Sequence, residues 1–457
     1  MRRKKEQSRR PKRRPYAKGA IASTKEKYRL GMANGYKDGA KAGFDSYGNY
    51  FDGTSIIIPC CNEVENLKRC IDSIMEHTEL PYEIIVVDNG STDHTRSYLK
   101  GLDGQVRYIL LGSDAGFIMS ANRGLMMAKG TTLLLLSNRI IATEYWLENM
   151  LNCLNSDDSI GMVGPVSNGW QGNQLKELRF ESLEDMQEEA RINNVVDARN
   201  RKKTERLSKD CLLFSRELLE KTGFLDEALT HGAFCEEDYS LRVRLQGYSL
   251  LCTAEAYVHF APADLSSTEG ADGQNGLPEE STPSMLYFMD KWSNPNRISI
   301  QYGDNFSLPQ EELALLASLG EAAYYPRQAV VKGIGKTIYW IEDQIRRPLE
   351  GRWEREAVRL SQLDLRRWTG GEAISAKEAA DRLAAAQAEA LHGMIMRSSE
   401  GILYYLEYGK KREVASQAAE EAWLLQMYPA ASLTEQQLKD LPSALPIIAP
   451  YTLRQAL

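Results

Sequence analysis

Glu83-Ile84-Ile85-Val86-Val87-Asp88-Asn89-Gly90-Ser91-Thr92-Asp93-His94-Thr95 is the stretch whose reading decides the fold. Four β-branched residues in a row, Ile84 to Val87, fit a strand covered on both faces, as in a parallel sheet. Asn89-Gly90 then turns the chain, and a second carboxylate follows at Asp93. Ligands of open parallel sheets bind where strands end and loops begin. Asp88 therefore stands at the lip of an expected cleft, able to accept a hydrogen bond from a hydroxyl or an N–H. The plainer alternative is that Asp88 only starts the turn or caps the next helix.

Ser55-Ile56-Ile57-Ile58 is a second run of this kind, leading into Pro59-Cys60-Cys61-Asn62-Glu63. Leu67, Cys70, Ile71 and Ile74 recur at helical spacing directly after it. Residues 54–93 thus read as strand, loop, helix, strand and loop, a parallel crossover. Further signals come at Asp114-Ala115-Gly116-Phe117, at Asn122-Arg123-Gly124, and at Thr132 to Leu136 followed by Ser137-Asn138-Arg139. Taken in this order, the pieces resemble the family 2 glycosyltransferases over roughly residues 54 to 295. The resemblance implies a Rossmann-like α/β domain of GT-A fold with a predominantly parallel central sheet.

Composition narrows the class. Hydrophobic content of 43% and charged content of 26% are ordinary for a globular protein. No apolar run approaches the ~18 residues that a membrane span needs. Seven cysteines without metal-ligand spacing argue for reduced thiols in the cytosol. The net charge of −7 hides an asymmetry, because residues 1–30 hold 13 Lys and Arg against two Glu. Such a tail cannot bury apolar surface and is expected to be disordered, with anionic polymers or membrane surfaces as its natural contacts.

Three regions are expected: a basic tail and Gly/Tyr-rich linker over 1–50, the GT-A domain over 51–295, and a helical C-terminal region over 296–457. Within the second, Leu183 to Arg191 reads as a helix with Ser182 as N-cap. In the third, Ser375-Ala376-Lys377-Glu378 opens an Ala-rich helix running to about His392. Helices are also expected near 394–408 and 411–428, with Gly409 between them. Gly333-Ile334-Gly335-Lys336-Thr337 lacks the first glycine of a phosphate loop, since Val330 stands there.

Sugar transfer from a nucleotide requires a nucleotide grip, an offset for the diphosphate's charge, and a base for the acceptor hydroxyl. The resemblance gives the grip to Asp88, with Pro59, Cys61, Asn62 and Glu63 lining the pocket and Asn89 and Ser91 completing it. It brings Gly116 and Phe117 close to the donor and lets Asn122 hold the loop or touch the sugar. The base falls to the acidic cluster Glu236-Glu237-Asp238, where mutual repulsion raises a pKa. Glu236 stands at the family's base position, and Glu237 is its rival. The cluster also suits a helix N-terminus.

The departure lies at Ser137-Asn138-Arg139. Relatives end this motif in a carboxylate that carries Mg²⁺ or Mn²⁺, whereas this chain places Arg there. A guanidinium repels a divalent cation but clamps phosphate oxygens directly. His259 matches a position that often ligates the same metal, and a structural role is the alternative. The expected partners are a UDP- or dTDP-sugar and a glycan or protein acceptor. The expected function is an inverting glycosyltransferase, the alternative a degenerate relative kept for binding or scaffolding.

Overall fold

The computed structural model describes residues 48–454 except 103, 231, 263–281, 303–307 and 355. The basic tail and most of the linker expected over 1–50 lie outside the described residues. Phe51 to Leu457 forms one compact unit.

Its first half alternates strands and helices. The strands are β1 (Phe51–Cys60), β2 (Tyr82–Asp88), β3 (Arg107–Leu110), β4 (Gly130–Leu136), β5 (Ile140–Ile141), β6 (Ile160–Ser167), β7 (Arg201–Thr204), β8 (Cys211–Ser215) and β9 (Ser249–Phe260). The helices are α1 (Val64–His77), α2 (Thr95–Gly101), α3 (Phe117–Met127), α4 (Trp146–Leu154), α5 (Leu183–Asn193), α6 (Arg216–Thr222), α7 (Gly232–Leu245) and α8 (Pro283–Trp292). The strands form one sheet in the order β3-β2-β1-β4-β8-β6-β9-β5, with β7 also paired to β9. Pairings β2 with β3, β1 with β2 and β1 with β4 are parallel. β8 then enters antiparallel to β4, with Leu136 opposite Cys211.

The apolar runs earn this placement by burial on both faces. Ile57, Ile85, Leu133 and Leu135 join the core on one side, and Ile56, Ile58, Val86, Leu134 and Leu136 join the core on the other. Helix α3 packs directly on β1 because Gly124 has no side chain: a Cβ there would lie 2.2 Å from Ile57 Cγ2. Ser182 caps α5 by accepting the Asp185 N–H, as its spacing predicts.

The C-terminal region corrects the expectation of a helical one. β10 (Gln328–Lys332), β11 (Ile338–Glu342), β12 (Ile345–Glu350), β13 (Val358–Arg359), β14 (Thr369–Gly370) and β15 (Ile374–Ser375) form a second sheet. The Ala-rich helix is present over Ala376–Ala390, with Ser375 accepting the Glu378 N–H. The segments expected as helices near 394–408 and 411–428 instead hold β16 (Met394–Arg397), β17 (Leu403–Glu407) and β18 (Lys410–Glu413), an antiparallel meander. Only the short helix Gln417–Ala422 and a turn of 3₁₀ helix follow within the second. Gly409 ends no helix. Tyr408 and Gly409 both have positive φ, 51° and 72°, as a two-residue hairpin between Glu407 and Lys410 requires. Leu403-Tyr404-Tyr405-Leu406 is a β-forming sequence whose aromatic and aliphatic bulk outweighs the helical spacing around it.

Candidate active site

The loops after β1 and β2 are zipped together. Asn62 and Glu63 both take left-handed backbone conformations, φ 59° and 57°. Such conformations are costly for residues other than Gly and collect at functional sites. Here hydrogen bonds fix them. The Asn62 N–H donates to Ser91 Oγ (2.7 Å), and Asn62 Oδ1 accepts the Thr92 N–H (2.8 Å). Asp93 reaches back to accept the Val64 N–H at the start of α1 (3.0 Å).

Asp88 is placed beneath this lip, not on it. Its side chain is fully buried, accepting the Ser91 N–H on Oδ1 (2.9 Å) and the Arg96 Nε–H on Oδ2 (3.2 Å). These contacts fit the turn-forming alternative for Asp88, with one hydrogen bond inside the protein on each carboxylate oxygen. Asn89 is similarly engaged, donating to Asp114 Oδ1 (2.5 Å) and accepting the Ala115 N–H (2.7 Å). Asn122 is also internal: it is fully buried and brackets the turn at Leu225, donating to its carbonyl (2.9 Å) and accepting its N–H (3.0 Å). Pro59 is buried, whereas Cys61 and Gly116 are exposed and Phe117 is half-buried.

The ends of β4 and β9 meet beside the first loop. Asn138 Nδ2 lies 3.5 Å from Glu63 Oε2, and the Asn66 amide reaches both Glu63 and the Pro262 carbonyl. Arg139 is half-buried, donates from Nε to the Ala261 carbonyl (3.0 Å), and stacks its guanidinium 4.4 Å from the Phe260 ring centroid. Among the described residues no carboxylate forms an ion pair with it.

A divalent ion at this place fits the residues poorly. The loop after β4 ends in the cation Arg139, and no cluster of three His, Cys, Asp or Glu suited to a metal occurs among the described residues. His259 packs edge-on to Phe180 with ring centroids 5.3 Å apart, and its Nδ1 lies 3.5 Å from the Tyr257 hydroxyl. Burial pushes the His259 and His392 imidazoles below their ordinary range. A depressed histidine favours the fold above the unfolded value of about 6.5, and the benefit is lost as pH falls through the folded value. Thermal midpoints should accordingly drop as pH is lowered from 6.5 to 5, and His259→Gln should make that drop smaller.

The acidic cluster splits by environment. Asp238 is 1% exposed and accepts from Trp292 Nε1 (2.9 Å) and Lys291 Nζ (2.7 Å), so it is a buried structural carboxylate. Glu237 is 40% exposed and paired with Arg206 at 2.8 Å. Glu236 lies between these extremes at 14% exposure. It accepts the Lys209 backbone N–H (3.0 Å), with the Lys209 ammonium 3.9 Å away. Burial raises the Glu236 carboxyl above its ordinary value, opposed by Lys209, as a general base requires. Lys209 also stands 5.2 Å from the Phe117 ring centroid and 3.4 Å from Asp210 Oδ1. The Asp210 carbonyl in turn accepts the Ser137 N–H (2.8 Å). Ser137, Glu236 and Phe117 thus converge through Lys209 and Asp210, two residues that the sequence reading missed.

Charged side chains thus gather at the strand ends of an open, largely parallel α/β sheet, the place where such sheets bind their ligands. Residues 55–223 match the family described as glycosyl transferase family 2, and this part of the chain is a family 2 glycosyltransferase domain. Glycosyltransferase AglE of Haloferax volcanii is 25% identical over 201 residues, covering 43% of this chain and 62% of AglE. Chondroitin synthase of Escherichia coli is 24% identical over 271 residues, covering 52% of this chain and 39% of that protein. The chain thus spans less than two thirds of the length of either relative. Among solved structures, GalNAc-T7 with UDP, GalNAc and Mn²⁺ superposes with a TM-score of 0.41 and 18% identity, over 57% of this chain and 51% of that one.

Proposed function

We propose that the protein transfers a sugar from a nucleoside-diphosphate sugar, UDP- or dTDP-linked, to a glycan, glycoprotein or cell-envelope acceptor (a spore surface included) with inversion. The acceptor oxygen attacks the anomeric carbon as the bond from that carbon to the diphosphate breaks. The hydroxyl proton passes to Glu236, and the nucleoside diphosphate leaves with the bonding electrons. Arg139 offsets the charge that grows on the diphosphate, in place of a divalent ion. The chemistry is assigned to residues 51–295. Seven free thiols fit a reducing cytosol, and the basic stretch within 1–30 suits an anionic surface.

One observation carries this reading: the Arg139 guanidinium, stacked on Phe260, follows strand β4, whose end also reaches the half-buried Glu236 carboxylate through Asp210 and Lys209. The full chain incubated with a panel of UDP-, dTDP- and GDP-sugars should release the nucleoside diphosphate from one of them. Binding of a nucleotide sugar without release would favour the second reading, a nucleotide-binding scaffold. That reading is supported by Arg139 and by the acidic motif, in which Asp238 and Glu237 are already paired with Lys291 and Arg206.

A further inference from the structure

Beneath Glu236 lies a buried charge network that sugar transfer as described does not use. Lys291, at the end of α8, is 1% exposed and sits 2.7 Å from both Asp226 Oδ2 and Asp238 Oδ1. Arg242 extends the network as a second buried cation, shared between Asp238 and Glu321. Its guanidinium lies 3.6 Å from Asp238 and 2.7 Å from Glu321, and donates to the Thr222 and Phe224 carbonyls. Asp238 and Arg242 are on α7, two and six residues beyond Glu236. The network therefore fixes the rotation and height of the helix that carries the proposed base.

Asp226 and its neighbour Glu227 face two different partners. Glu227 Oε1 accepts from Asn122 Nδ2 (3.1 Å) on α3, the helix that begins with Phe117. Asp226 holds α7 through Lys291. Both acids are then bound from the other side by the segment Tyr451–Arg454. The Thr452 N–H donates to Asp226 Oδ1 (3.1 Å), the Glu227 N–H to the Thr452 carbonyl (2.9 Å), and the Arg454 N–H to Glu227 Oε2 (2.7 Å). Tyr451 anchors the segment: it is buried, its ring lies 4.6 Å from the Arg242 guanidinium, and its hydroxyl pairs with Ser361 Oγ at 2.6 Å. Gly223 keeps the space open, since a Cβ there would fall 2.4 Å from the Tyr451 ring.

We propose that Tyr451–Arg454 is a backbone strap that holds both walls of the transfer site in register, acting through Asp226 and Glu227 on the helices that carry Glu236 and Phe117. Lys291, Asp226 and Glu227 are then positioning residues that touch neither donor nor acceptor. The transfer chemistry invoked rests on the function proposed above; the strap itself does not.

Thr452→Pro removes the N–H given to Asp226 and keeps the carbonyl that accepts from Glu227. Thr452→Ala keeps both backbone bonds and serves as the control. Glu227→Gln is the second variant, altering the acid at constant shape should the proline variant not fold. Amide hydrogen exchange of the full chain should quicken by about tenfold in α7 and in the first turns of α3, the change expected from losing one hydrogen bond to a charged group. Helices α1 and α4 should be unaffected, and Thr452→Ala should match the unaltered chain. Turnover should fall while KM for the nucleotide sugar stays constant. Exchange that quickens only at 450–454, or evenly throughout, would overturn the proposal. Because exchange needs no activity, an inactive parent chain would count against the transferase reading and not against the strap.

Discussion

Glu236→Gln should lower sugar transfer by about 10²–10⁴-fold, the usual contribution of a positioned general base, while leaving nucleotide affinity intact. Environment separates the three acids. Asp238 is committed to Lys291 and Trp292, and Glu237 is exposed and paired with Arg206. Glu236 alone combines partial exposure with a pKa raised by burial. A carboxyl raised on folding favours the fold below its unfolded value and loses that benefit as pH rises through the folded value. The ionised Glu236 is therefore a cost to stability at neutral pH, which Gln removes. The variant should melt no lower than the parent at pH 7.5, and activity and thermal midpoint measured together check both halves. If Glu237→Gln is the inactive variant instead, the assignment passes to its neighbour.

Arg139→Met should cost about 10²–10³-fold in turnover, the scale of losing one preorganised group that faces developing charge. Affinity for the nucleoside diphosphate should fall as well, because the guanidinium meets it before and during transfer. Arg139→Asp is the sharper change. It restores a carboxylate beside Asn138 and Glu63, and residual activity should then rise on adding Mn²⁺. Initial rates with chelator and with Mn²⁺ distinguish these outcomes. An Arg139→Met enzyme as active as its parent would show that the charge is ornamental to the reaction.

The sheet was legible because its strands are buried on both faces, so Ile56–Ile58, Ile84–Val87 and Leu133–Leu136 needed no partner to be read. The site was half legible. Loops that follow parallel strands announce themselves by sequence order, which brought Asn62, Asn138 and Arg139 forward as candidates. Lys209 and Asp210 precede their strand, and only the antiparallel entry of β8 beside β4 brings them to the same edge. Asp88 was expected at the lip because a strand-end carboxylate followed by Asn-Gly-Ser looks alike whether it faces outward or folds under its own turn. Arg96, two turns of sequence away, decides between them. The C-terminal meander was hidden by alanine, leucine and glutamate flanking short strands, which favour helix until pairing across the hairpin at Tyr408-Gly409 is counted.

The claim on which the rest depends is that a fixed guanidinium, not a divalent ion, faces the pyrophosphate. Calorimetric titration of the full chain with UDP or dTDP, in EDTA and again in Mn²⁺, tests it most directly, with Arg139→Met beside it. Equal affinity in both buffers, lost in the Met variant, is the predicted result. Binding that appears only with Mn²⁺, and is indifferent to Arg139, would contradict the account.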